Sequence, residues 1–148
     1  MKLSTRSRYG VRMLMELAQS GSDESMTLND IATRQNVSLK YLEKITRILK
    51  KNGYLEGKRG PHGGYRLNYP AEKIHLGDLV EILEGDLALV DCWMFDQSCP
   101  RIDHCPTREL WHELRRTIVD KLNSYTLQNL VENQKLWCFD APSRNHSS

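Results

Sequence analysis

The stretch that most restricts the fold is residues 57–64, which read Gly-Lys-Arg-Gly-Pro-His-Gly-Gly. Four glycines and a proline in eight residues disfavour a helix or a long strand, and they are typical of a tight loop. Short runs suited to strands flank the loop at 54–56 and 65–67, so the pattern predicts a β-hairpin. Elsewhere the apolar residues recur at helical spacing, which predicts a mostly α fold with one small β-hairpin.

Three amphipathic helices are predicted before the hairpin. The first spans about 7–20, and the second is short and begins at Thr27, where Asp30 completes a capping box. Ser38 has the side chain of an N-cap for the third helix, which runs to about residue 52. The predicted core face of the third helix consists of Leu42, Ile45 and Leu49.

Two helices joined by a tight turn, the second of them basic, indicate a helix-turn-helix, and the hairpin behind it makes a winged helix. Residues 1–70 carry 13 Lys/Arg against 6 Asp/Glu, whereas residues 71–148 carry 8 against 13. This asymmetry is typical of a module that binds a polyanion followed by a different module, although two ordinary solvated surfaces would give the same balance. The sequence therefore predicts a winged helix-turn-helix domain at 1–70, with double-stranded DNA as its partner.

The third helix and the glycine-rich loop carry most of the side chains expected to contact DNA. Lysine and arginine can donate to guanine, and Glu43 can accept from cytosine unless it pairs with Arg47 one turn later. Arg59 is expected to meet the minor groove, its alternative role being that of a solvated hairpin arginine. The predicted contact residues are Thr27, Leu28, Ser38, Lys40, Tyr41, Glu43, Lys44, Arg47, Arg59, Gly60, His62 and Gly63.

Residues 71–137 are predicted to form a second module, with helices at 74–84, at 107–122 and from Thr126 onwards. The helix at 107–122 carries an apolar stripe that is too long for one small domain to cover. We therefore expect a homodimer, held by this helix, on a pseudo-palindromic operator; packing within the chain is the alternative. The stripe consists of Trp111, Leu114, Ile118 and Leu122.

Residues 138–148 are expected to form a disordered tail.

Three of the four cysteines lie close together in a predicted loop: Cys92, Cys99 and Cys105. Structural zinc sites usually include a pair of ligands two to four residues apart, and no such pair exists here. The wider spacing favours an iron–sulfur cluster. The alternatives are zinc, metal-free redox thiols, and inert cysteines in a cluster-free regulator that is controlled by a partner protein or a metabolite. Cys138 stands apart and is not expected to bind a metal.

No apolar run approaches the roughly 20 residues of a membrane helix, so we expect a cytoplasmic protein with no membrane partner, in a compartment where disulfides are rare.

Taken together, these features resemble the Rrf2 family of bacterial regulators, in particular its IscR-like and NsrR-like members. The resemblance spans roughly residues 1–137, and it implies a dimeric winged-helix transcription factor, many of which use an iron–sulfur cluster as a sensor. No P-loop, nucleophile elbow or acid/base pair is found in the sequence, so an enzyme is not expected. The motifs that carry the resemblance are residues 2–4 with 8–10, 38–43, 59–65, the three cysteines, and Leu110 with Trp111.

The chain departs from the family pattern around the cysteines. Six residues rather than five separate the first two cysteines, and Arg108 stands where IscR-like members carry a histidine ligand. NsrR-like members take a carboxylate from the partner's amino-terminal region, but no Asp or Glu precedes Glu16 here. The fourth ligand therefore stays open, and the resemblance favours a 2Fe–2S cluster over a 4Fe–4S cluster. The candidates for that ligand are His104, His112, Asp103 and Asp96.

Overall fold

The computed structural model describes residues 2–21, 24–85, 87–90 and 99–140. These residues form a mostly α-helical fold with one two-stranded antiparallel sheet, as the sequence predicts. No helix in the described ranges is both long and apolar enough to cross a membrane. The elements are α1 (Thr5–Ser20), α2 (Leu28–Gln35), α3 (Leu39–Lys51), β1 (Leu55–Lys58), β2 (Gly64–Leu67), α4 (Leu76–Glu84), α5 (Arg108–Asn123) and α6 (Leu127–Asp140), with short 3-10 helices at Ala71–Lys73 and Ile102–His104.

The helix-turn-helix forms where the capping residues predict it. The Thr27 hydroxyl oxygen accepts a hydrogen bond from the backbone N–H of Asp30 at 3.1 Å, and that of Ser38 accepts from the N–H of Tyr41 at 3.3 Å. Between the two helices, Asn36 ends α2 in the left-handed region at φ 51°, which turns the chain into α3. The local sequence is therefore sufficient to fix both ends of this turn.

The hairpin differs in extent from its prediction. β1 and β2 pair from Leu55 with Leu67 to Lys58 with Gly64, so the first strand includes two residues that the sequence assigns to the loop. The loop shrinks to residues 59–63. Cross-strand pairing also brings the guanidinium of Arg66 to the carboxylate of Glu56, and their hydrogen bond of 2.6 Å links the two strands on one face of the sheet.

Helix α1 lies at the centre of the fold and packs against α3, α4 and α6. The predicted core face of α3 is fully buried against it. An ideal Cβ placed on Gly10 would lie 2.6 Å from a methyl group of Leu83, so the absence of a side chain at Gly10 lets Leu83 of α4 pack directly on the backbone of α1. The fully buried core residues include Met13, Leu14, Ile31, Leu42, Ile45, Leu49, Leu79, Leu83 and Leu127.

Helices α4 and α6 begin at one shared backbone pairing. The N–H of Leu76 donates to the carbonyl of Tyr125 at 3.0 Å, and the N–H of Leu127 donates to the carbonyl of Ile74 at 2.8 Å. Because Ile74 is used in this pairing, α4 starts at Leu76 and not at 74 as predicted. At the other end, α6 runs to Asp140, three residues beyond the predicted boundary at 137, and residues 141–148 of the expected tail lie outside the described residues.

Candidate functional site

Helix α3 separates an apolar face from a cationic face. Its buried residues are held in the core, and Lys40, Lys44 and Arg47 project from the opposite side and are exposed. In the described part of the chain, no carboxylate forms an ion pair with any of these three cations. Their charges are therefore available to an anionic partner.

Glu43 lies on this same exposed face. The sequence allows an ion pair with Arg47, but no such pair forms within the described residues. Because the Glu43 carboxylate forms no ion pair with the described cations beside it, both of its oxygens can still accept hydrogen bonds. Contact with the amino group of a base edge requires such an acceptor.

Tyr41 is only half-buried and belongs to a small aromatic contact between α1 and α3. Its ring meets that of Tyr9 edge to face, with centroids 6.2 Å apart, and the guanidinium of Arg12 lies 5.4 Å from the centroid of Tyr9. Arg12 is exposed, so it extends the cationic surface of α3 onto α1. The sequence gives no signal that Arg12 belongs to this surface, because α1 is brought beside α3 by the contact of Tyr9 with Tyr41, 32 positions later in the chain.

The loop of the hairpin is exposed and tightly turned. Gly60 has φ 112°, and its carbonyl accepts from the N–H of Gly63 at 2.9 Å. Arg59 and His62 are exposed at the tip. This loop therefore presents a cation on a narrow backbone that can approach a groove closely.

The hairpin is tied to the start of α2. Met26 and Tyr65 exchange two backbone hydrogen bonds, of 3.0 and 2.8 Å, and the hydroxyl of Ser25 donates to the carbonyl of His62 at 2.7 Å. A wing fixed in this way keeps a constant position relative to the helix-turn-helix. Of the twelve predicted contact residues, the structure exposes nine on α2, α3 and the wing, and it leaves Leu28, Tyr41 and Gly63 half-buried.

The cysteine loop is described from residue 99 onward, and Cys92 and Asp96 lie outside the described residues, as does the side chain of Cys138. Cys99 and Cys105 are half-buried free thiols. The Sγ of Cys105 lies 3.3 Å from the hydroxyl oxygen of Thr107, and this hydrogen bond lowers the pKa of the Cys105 thiol below its ordinary value. Since the thiolate is the form that binds metals, the sulfur of Cys105 is suited to bind a soft metal or an iron–sulfur cluster.

The described candidates for the fourth ligand form no three-residue ligand group with Cys99 and Cys105. His104 and Asp103 are exposed, and His112 is half-buried on α5. Among the described residues, no group of three Cys, His, Asp or Glu side chains is arranged to hold a metal ion. A site built on the three loop cysteines would include Cys92, which lies outside the described residues.

A polar contact joins the root of the cysteine loop to the start of α1. One carboxylate oxygen of Glu84, the last residue of α4, accepts from the backbone N–H of Ser4 at 2.7 Å and from its hydroxyl at 2.8 Å. Burial alone would raise the pKa of Glu84, but the nearby Ser7 side chain and the hydrogen bonds from Ser4 outweigh it and lower this pKa. Because Ser4 is also the N-cap of α1, helix α1 begins at Thr5, two residues before the predicted start.

Helix α5 leaves an apolar face uncovered. None of its residues is buried, although Arg115 bonds to Glu81 of α4 at 3.2 Å. Leu110 and Leu114 are 48% and 40% exposed. Of the predicted stripe, only Leu114 is exposed, whereas Trp111, Ile118 and Leu122 are half-buried. The exposed Leu110 lies one turn before Leu114 and is not part of the predicted stripe.

Comparison with known proteins identifies the family. The sequence profile of the Rrf2 family, described as an iron-dependent transcriptional regulator, matches residues 3–133. The protein rrf2 of Nitratidesulfovibrio vulgaris is 46% identical over 136 residues, which cover 92% of this chain and 91% of that protein.

Two solved structures share the fold. The structure of IscR from T. potens superposes with a TM-score of 0.74 at 30% identity, over 90% of this chain and 88% of that one. That of CymR (YrzC), the global cysteine regulator of B. subtilis, also gives 0.74, at 32% identity over 90% and 98%. The relatives that this chain matches are transcriptional regulators and not enzymes. The chain therefore belongs to the Rrf2 family of DNA-binding transcriptional regulators.

Proposed function

We propose that this chain is a homodimeric, sequence-specific regulator whose operator binding responds to an iron–sulfur cluster held by Cys92, Cys99 and Cys105. The observation that carries the DNA-binding part is the exposed cationic face of α3 beside a wing fixed to α2. Such a surface places one helix in the major groove and the wing against the adjacent minor groove. A regulator of this kind acts where the DNA is, which agrees with a cytoplasmic location.

The wing provides the first test of this proposal. Replacing Arg59 with alanine is expected to weaken binding to every duplex several-fold, and to reduce the slope of log affinity against log salt concentration by about one. The measurement is a set of fluorescence-anisotropy titrations at several salt concentrations. Lys73→Ala, which removes an exposed cation after the hairpin, is the matched control and should leave both quantities unchanged. An Arg59→Ala variant with the affinity of the wild type would contradict the role of the wing.

The dimer is supported by the uncovered face of α5. Exposed leucines in register along one helix face are unfavourable in water, and a second copy of the same helix can bury them. Two copies related by a two-fold axis would present two α3 helices to successive major grooves, about 34 Å apart. This geometry accounts for the expected pseudo-palindromic operator.

Replacing Leu114 with glutamate is expected to weaken the dimer at least tenfold, because a charge would then be buried in an apolar interface. Sedimentation velocity over a concentration series measures the effect. The control is Arg116→Gln, which makes the same change of one charge unit two residues away, on the other side of the helix. A wild-type monomer at micromolar concentration, or an unaffected Leu114→Glu dimer, would refute this assignment.

The sensor is supported by the chemistry of the described thiols. Cys99 and Cys105 are accessible, and Cys105 is biased towards the thiolate that iron–sulfur clusters require. When bound, a cluster would supply a group whose charge and ligation depend on iron supply and redox state. With Arg108 in place of a histidine, a weaker oxygen or nitrogen ligand would complete the set. His104 and His112 are the nitrogen candidates, and 2Fe–2S remains favoured over 4Fe–4S.

The contact between Glu84 and Ser4 offers a route from this loop to the DNA. The chain leads from α4 into this loop, and Glu84 holds the end of α4 to the first turn of α1. Helix α1 in turn supports α3, since Met13 and Thr46 meet in the core with the Thr46 hydroxyl 3.6 Å from the Met13 sulfur. A change at the cysteines could therefore reach α3 through two packed helices, as allosteric coupling requires.

A metal-free thiol switch is the second candidate function. The lowered pKa of Cys105 favours it, because a thiolate is also the form that oxidants attack. The likeness to the cysteine regulator CymR supports the same alternative. Protein purified without oxygen separates the two candidates: a cluster gives visible absorbance with stoichiometric iron and sulfide, and a thiol switch gives neither.

A further inference from the structure

Leu39 is an apolar residue on a surface that is otherwise polar and cationic. It is the first residue of α3, and its side chain is 41% exposed. Within residues 24–68, every other large apolar side chain is buried or half-buried. An exposed leucine is ordinary by itself, but this one stands at the end of the helix that is proposed to contact bases.

The start of α3 does not depend on the Leu39 side chain. Ser38 caps the helix through its hydroxyl, and Val37 and Leu42 occupy the two positions of a hydrophobic staple. Both of those residues contribute to the core, whereas Leu39 only lines a shallow groove between α2 and α3. Its apolar surface is therefore left for something outside the chain.

The neighbours of Leu39 determine what that partner is. Ser38 and Lys40 on either side are exposed, and Glu43 lies one turn along on the same side of the helix. This cationic setting favours DNA over an apolar protein surface. The major groove offers a side chain such as leucine one distinctive apolar group, the C5 methyl of thymine.

We propose that Leu39 recognises a thymine by contact with its C5 methyl group, next to the base pair that Glu43 contacts. The inference rests on the proposed DNA-binding role of α3 and adds a specificity determinant to it. Leucine makes no hydrogen bond to a base edge, so its discrimination comes from burying the methyl group. Burial of one methyl-sized group is worth about fourfold in affinity.

The test first selects a binding sequence from random duplexes with the wild-type protein. Each thymine of that sequence is then replaced singly by uracil, which removes only the C5 methyl group. With the wild type, one thymine in each half-site should show a loss of about fourfold. With Leu39→Ala that loss should disappear, while the wild-type and variant affinities for the uracil duplex become similar.

Two further variants keep the outcome decisive. Lys40→Ala should weaken binding to the thymine and uracil duplexes by equal factors. Glu43→Ala should relax the base preference at a different base pair. Circular dichroism checks that the Leu39→Ala variant is folded. If that variant binds DNA too weakly to titrate, the Leu39→Val variant is titrated in its place. The inference is overturned if no thymine is sensitive to uracil, or if the sensitivity persists in Leu39→Ala. Failure of the proposed function looks different, since no sequence would then be enriched at all.

Discussion

Protein purified without oxygen is expected to lose all visible absorbance when Cys105 is replaced by alanine. Three cysteines are available in the loop, and loss of one leaves two thiolates, too few to retain a cluster with a single weak additional ligand. Cys92→Ala and Cys99→Ala should have the same effect. The measurement is the absorption spectrum together with iron and sulfide content.

Cys138→Ala is the matched control, because it removes a thiol from outside the loop and should leave the spectrum intact. All variants should keep their helical circular dichroism, since the described core is apolar and contains neither Cys99 nor Cys105. A Cys105→Ala protein that retains stoichiometric iron and sulfide would contradict the ligand assignment. Wild-type protein that carries zinc, and takes up no iron or sulfide on reconstitution, would eliminate the cluster altogether. Mössbauer spectra of the wild type distinguish 2Fe–2S from 4Fe–4S.

The features that could be predicted from the sequence depend on neighbouring residues. Thr27 with Asp30, and Ser38 with the N–H of Tyr41, cap their helices through bonds that span three positions. The core face of α3 follows from the 3.6-residue period alone. These interactions form in any tertiary context that permits a helix, so a local pattern is enough to find them.

The features that escaped prediction join distant parts of the chain. The start of α1 depends on Ser4, which is held by Glu84 eighty positions away. The start of α4 depends on the pairing of Leu76 with Tyr125. Local patterns carry no information on such contacts, whose partners are set by how helices pack.

Replacing Gly64 with alanine is expected to lower the free energy of unfolding by about 3 kcal/mol, and to weaken DNA binding at least tenfold. Gly64 has φ 145°, and an added Cβ would collide with the carbonyl of Met26. The chain would have to move at the point where Met26 and Tyr65 exchange their two hydrogen bonds. Urea denaturation and anisotropy titration measure the two effects.

Gly57→Ala is the control, because it adds the same methyl group to the same hairpin. There the new Cβ would lie 3.7 Å from Lys50 Nζ and Tyr65 Cε1, which is ordinary van der Waals contact, and the free energy of unfolding should change by less than about 0.5 kcal/mol. If the two variants bind DNA equally well, the attachment of the wing to α2 has no part in recognition. A selective defect in Gly64→Ala would instead mean that the wing must be held at a fixed distance from α2, so that both can meet the same stretch of phosphate backbone.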